Sequence, residues 1–124
     1  MPEPLHVLYV DDYEPMGEMV ADALADDGFL VTVMTDALAA LQLCMSIDVH
    51  FGAAVIDFNM PGMDGDELTR RLSEAGHMPI VVVSAFIDDE RRRRAMQAGA
   101  KAVMDKKDLV RILPGLLRQL MGAA

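Results

Sequence analysis

Five polar residues stand where apolar runs stop. Asp11 and Asp12 follow LHVLYV, Asp57 closes AAVID, Ser84 closes PIVVVS, and Lys106 follows KAVMD. A carboxylate in such a place can cap the next helix, ligate a metal or act as a nucleophile. Three carboxylates sharing one crevice repel one another, and without compensation at least one pKa rises. A hard divalent cation removes the conflict. Mg2+ takes oxygen ligands, keeps several waters and commonly bridges carboxylates to a phosphoryl oxygen. A carboxylate beside it can then accept a phosphoryl group as an aspartyl phosphate, with the transferring charge spread over nearby donors. On this chemistry Asp57 attacks, the other acids hold the metal, and Ser84 and Lys106 receive the phosphoryl oxygens. Taken singly, each residue has a plainer reading as a helix cap, a strand-end hydroxyl or an exposed ammonium. Capping accounts for neither the serine, the lysine nor the doubled aspartate.

Positioning these groups requires strands that deliver their ends to one edge. Apolar runs alternate with amphipathic ones along the whole chain. Strands are predicted at 5–10, 29–34, 53–57, 79–84 and 101–105. The alternating run FLVTVM suggests an edge strand, and the solidly β-branched PIVVVS a strand buried on both faces. Helices are predicted between them, the first ended by Gly28, the second capped by Thr35 or Asp36, and the third capped by Asp64. Pro114 should delay the last helix to residues 110–112 or kink it there. Five βα units point to one doubly wound α/β domain with a parallel sheet. Ligands of such open sheets bind outside the carboxyl ends of the strands, where all five polar residues stand.

Composition narrows the function classes. The chain of 124 residues is 52% hydrophobic and 25% charged, as in a single globular domain. No apolar run approaches the roughly 20 residues that span a bilayer. MPEPLHVLYVDD has no basic segment ahead of its apolar run, unlike a signal peptide. Cys44, the only cysteine, excludes an intramolecular disulfide. A cytoplasmic setting is therefore expected, and the eleven methionines are read as core filler. The net charge of −9 divides unevenly. Residues 1–90 carry 18 acids against Arg70 and Arg71, a net −16, and residues 91–124 carry nine bases against Asp105 and Asp108, a net +7. Most of the surface would repel nucleic acid, while the C-terminal third could attract an acidic partner.

YVDDYEP, AVIDFNMPGMDG, PIVVVSAF and AGAKAVMDKK, in this order, resemble the receiver domain of two-component response regulators. The resemblance covers about residues 5–120 of a single domain spanning 1–124, with no output domain expected. It implies a flavodoxin-like (βα)5 fold with strand order 2-1-3-4-5. It also implies that Asp57 is the phospho-acceptor, supplied by a histidine kinase or a histidine phosphotransfer protein. Asp12, Asp57 and the backbone carbonyl of Asn59 would hold Mg2+ directly, and Asp11 through water. Ser84 falls on the switch hydroxyl and Lys106 on the lysine that meets the phosphoryl group. Phosphorylation in the family reshapes the face of the fourth helix, fifth strand and fifth helix. Here that output surface would include Arg91, Arg94, Lys101, Val103, Lys107 and Arg111. A downstream protein would bind it, without nucleic acid or membrane, the chain being a monomer or a phosphorylation-dependent dimer.

Two departures bear on that output. Lys107 stands where a proline in a cis peptide is usual, so a trans bond and a differently set lysine loop are expected. Val103 stands where the family usually has Tyr or Phe, so an aromatic switch is absent. A degenerate receiver that docks without phosphorylation is thus an alternative. A haloacid-dehalogenase-like phosphohydrolase is another, but such enzymes need an acid two residues after the nucleophile, where this chain has Asn59. Phe86, two residues past Ser84, either overhangs the site and restricts water or is a partly buried loop aromatic. Asp88, Asp89 and Glu90 are expected to pair at i,i+4 with Arg92, Arg93 and Arg94.

Overall fold

Apolar runs make the centre of the sheet. In a computed structural model that describes residues 5–46, 48–76 and 78–122, the strands are β1 (Leu5–Val10), β2 (Phe29–Met34), β3 (Ala53–Asp57), β4 (Ile80–Ser84) and β5 (Ala102–Asp105). The helices between them are α1 (Glu14–Ala25), α2 (Ala37–Cys44), α3 (Gly65–Ala75), α4 (Asp89–Ala98) and α5 (Leu109–Leu120). All strand pairs are parallel, in the order β2-β1-β3-β4-β5. The alternating strand β2 is an edge, as its pattern predicts. Every residue of β3 and β4 is buried, because helices cover both faces.

The period-2 pleat sorts the core into two layers. Leu8, Val10, Ile56 and Val82 pack with Leu68 and Leu72 of α3 and Ala95 of α4. Val7, Tyr9, Val55 and Val83 pack with Val20 and Leu24 of α1 and Leu109, Leu113 and Leu117 of α5. Met60 and Met104 are buried as filler, whereas Met19, Met45 and Met96 are exposed. No helix among the described residues is long and apolar enough to cross a membrane.

Three local expectations are corrected. The first helix ends at Ala25, before Gly28, because Leu24 is its last buried residue. Gly28 instead supplies the left-handed backbone, φ 89°, of the turn into β2. Asp36 caps α2 by accepting from the Ala39 N–H at 2.9 Å, but Asp64 makes no side-chain cap on α3. The start of α3 is held from behind, the Gly65 N–H donating to the Phe58 carbonyl at 2.8 Å. The last helix starts at Leu109 and runs through Pro114. The carbonyl that loses its partner there belongs to Val110, on the exposed side. Burial of Leu109, Leu113 and Leu117, about 1.5–3 kcal/mol each, outweighs the roughly 3 kcal/mol cost of the proline.

Gly65 also brings α3 against the strand that ends in Asp57. A Cβ at that position would overlap the Asp57 carbonyl oxygen and the Phe58 Cα, backbone atoms that cannot swing aside. Gly65→Ala is expected to lower stability by about 3 kcal/mol or more, the upper range for overpacking. Denaturant unfolding checks this.

Candidate functional site

Register brings the polar strand ends together. Val10 pairs with both Met34 and Ile56, so Asp11 and Asp57 leave neighbouring strands at one level. Asp57 pairs with Val83, and Ser84 with Asp105, so Ser84 follows one step further along and Lys106 two. Asp11 is fully buried and Asp57 is 4% exposed, whereas Asp12 is exposed. One oxygen from each of Asp11, Asp12 and Asp57 lies within 4.8 Å of the others. Lys106 Nζ stands 2.9 Å from Asp11 Oδ2 and 3.3 Å from Asp57 Oδ2.

The carboxyl of Asp57 carries the strain of this arrangement. Burial, and then repulsion from Asp11, push its pKa up to about 6 from 3.8. Lys106 and the Asn59 N–H, 3.4 Å from Oδ1, pull it part of the way back. Burial pulls the Lys106 ammonium down, but Asp11 and Asp57 outweigh it and hold its pKa above the ordinary lysine value. One cation thus serves two buried carboxylates. Three convergent carboxylates with so little compensation could hold a hard divalent cation.

Ser84 is positioned differently. Its hydroxyl donates to the Phe86 carbonyl at 2.8 Å and accepts from the Phe86 N–H at 3.3 Å, turning into its own loop. Phe86 is 64% exposed, a partly buried loop aromatic whose ring packs against Arg91. The Lys106–Lys107 bond is trans. The Lys107 N–H donates to Asp105 Oδ1 at 3.0 Å and opens a 3-10 turn over Lys106–Asp108.

Residues expected on the output surface divide into tied and untied groups. The arginine pairs are at i,i+3 rather than i,i+4: Arg91 with Asp88 at 2.8 Å and Arg93 with Glu90 at 2.7 Å. Asp88 is already committed as the cap of α4, its carboxylate accepting from the Arg91 N–H, which draws the pairing one residue closer. Arg94 reaches instead across to Asp66 of α3, at 2.7 Å. The guanidinium of Arg91 lies 6.0 Å from the Phe58 ring centre and 5.5 Å from that of Phe86, and Arg94 lies 5.1 Å from Phe58. Both cations therefore pack against the residue that follows Asp57. Lys101, Lys107 and Arg111 are exposed, Arg111 pairing with Asp108 at 3.0 Å. Val103 is half-buried in a groove of about 450 Å³ with Ile87, Arg92, Lys107 and Ile112.

One residue beside the carboxylates was not anticipated. Tyr9, fully buried, donates its hydroxyl to Asp11 Oδ2 at 2.9 Å. Burial, then Asp11, hold its pKa above the ordinary phenol value. The signal was present, since residues 9 and 11 share one side of a strand, but a tyrosine in an apolar run reads as core.

Comparison with known proteins agrees with this geometry. The family described as the response regulator receiver domain matches residues 7–113. The transcriptional regulatory protein CseB of Streptomyces avermitilis is 34% identical over 106 residues, 86% of this chain and 44% of that protein. The chemotaxis protein CheY-3 of Vibrio cholerae is 34% identical over 106 residues, 82% of this chain and 80% of that protein. The crystal structure of FixJ-N superposes with a TM-score of 0.79 at 33% identity, covering 94% of each chain. This chain spans about half the length of the transcriptional regulatory proteins that it matches. It belongs to the response regulator receiver domain family.

Proposed function

We propose that this chain is a phospho-accepting receiver of a two-component signalling system. Asp57 takes a phosphoryl group from a histidine kinase or a histidine phosphotransfer protein. An Asp57 carboxylate oxygen attacks phosphorus. The new O–P bond forms as the P–N bond to the donor imidazole breaks, the electron pair leaving with the imidazole. The observation that carries this reading is the single ammonium of Lys106, 2.9 and 3.3 Å from two buried carboxylates. After transfer, that ammonium is in reach of the phosphoryl oxygens bonded to Asp57. The Ser84 hydroxyl reaches them only by leaving the Phe86 carbonyl. Asp12, Asp57 and the Asn59 backbone carbonyl would hold Mg2+ directly, with Asp11 acting through water. When bound, the ion neutralises the carboxylates and the charge of the transferring group.

Movement of Ser84 away from Phe86 would disturb the Arg91 contact and so the start of α4. A downstream protein would read the altered face of α4, β5 and α5, where Arg92, Lys101 and Lys107 favour an acidic surface. The groove at Val103 favours a second reading, a module that docks without phosphorylation. Incubation with Mg2+ and acetyl phosphate separates the readings. The receiver yields an acid-stable, base-labile adduct that Asp57→Ala abolishes, and the docking module yields none. A phosphohydrolase would instead turn over many phosphoesters.

Phe86 supplies a further expectation. Its exposed ring, two residues past Ser84, would hinder water from reaching a phosphoryl group on Asp57. Phe86→Ala is expected to shorten the phosphoryl lifetime several-fold, read as loss of label after the donor is removed. An unchanged lifetime leaves the ring with its Arg91 contact alone.

A further inference from the structure

We propose that Tyr9 is a positioning residue for cation binding, fixing the Asp11 carboxylate so that it serves through one oxygen. The inference rests on the reading of the carboxylate site given above. A carboxylate has about four lone-pair sites. Oδ2 of Asp11 accepts from the Tyr9 hydroxyl at 2.9 Å and meets Lys106 Nζ at 2.9 Å. Oδ1 accepts from the Tyr13 N–H at 3.0 Å. Three directions are occupied, and one on Oδ1 remains. Asp11 can neither turn nor chelate without breaking one of these bonds. It can accept from one further donor, such as a water on a neighbouring cation. Asp12 is exposed, with no hydrogen-bond partner for its carboxylate among the described residues, and so is free to ligate directly. Tyr9 thereby sets the division of labour between two adjacent acids.

Packing alone does not account for the hydroxyl. Tyr9 has no exposed surface and sits among Val20, Leu24, Val55 and Val83, where phenylalanine would fill nearly the same volume. A buried hydroxyl costs about 1–3 kcal/mol unless it is hydrogen-bonded, and Asp11 is the partner that satisfies this one.

Tyr9→Phe tests the proposal on the full chain, with Mg2+ binding read by isothermal titration calorimetry. The Mg2+ Kd is expected to rise by about 10-fold or more, the usual effect of removing a partner that orients a metal-holding residue. Phosphorylation from acetyl phosphate should fall at low Mg2+ and recover as Mg2+ is raised. Thermal unfolding without the ion is followed in parallel. An unchanged Kd, whatever the melting temperature does, overturns the role of Tyr9 while leaving the receiver reading in place. Wild-type protein that binds no Mg2+ overturns both.

Discussion

Lys106→Met is expected to slow phosphoryl uptake from acetyl phosphate by about 100-fold or more, the scale on which loss of one preorganised donor acts. Methionine keeps most of the side-chain length and removes the charge. Two effects then add. The phosphoryl oxygens lose the ammonium that now stands 3.3 Å from Asp57 Oδ2. Asp57 also loses the cation that holds its pKa down, so it rises beyond about 6 and less of it is ionised at neutral pH. Raising the pH should therefore recover the second part of the loss and not the first. Initial rates of adduct formation between pH 6 and 9 separate the two contributions. A rate equal to wild type throughout would remove Lys106 from the chemistry.

Asp57→Asn is expected to stabilise the metal-free protein at neutral pH, by up to about 3 kcal/mol for a shift of this size. The direction follows from proton counting. The folded carboxyl titrates near 6 and the unfolded one near 3.8, so between these values the folded state binds the extra proton. Stability is then lost as pH rises through that window, and the full penalty applies above it. Asparagine carries no such penalty. The variant should unfold later than wild type at pH 7–8 and equal it near pH 4. Mg2+ should close the gap by stabilising wild type in proportion to its occupancy. Thermal unfolding at several pH values, with and without Mg2+, measures this. An Asp57→Asn variant that is less stable than wild type at pH 8 without the ion would mean that Lys106 already satisfies both carboxylates.

The sheet was legible because its determinants are local. Solid apolar runs mark β3 and β4, the second of them β-branched, and an Asp, Ser or Lys at or just past a strand end marks the edge where the site lies. What escaped depends on competition between partners. Asp64 has the residue type of a cap, but Gly65 lets the helix start press on the Phe58 backbone, and no side-chain cap forms. The charge run on α4 announces ion pairs, yet Arg94 prefers Asp66 of the neighbouring helix, a choice set by packing rather than spacing. Ser84 lies at its expected strand end, but its hydroxyl answers to the nearest carbonyl. Tyr9 was hidden by its own suitability for the core. Pro114 shows the converse, a strong local signal overridden by three buried leucines on the same helix.

The account stands or falls on which atom receives the phosphoryl group. Wild-type protein is incubated with Mg2+ and acetyl phosphate, the adduct is trapped by borohydride reduction, and the modified peptide is sequenced by mass spectrometry. The result predicted is reduction of Asp57 to homoserine, absent when Mg2+ is omitted and absent from Asp57→Ala. Trapping at Asp11 or Asp12 instead, or an adduct that persists in Asp57→Ala, would contradict it.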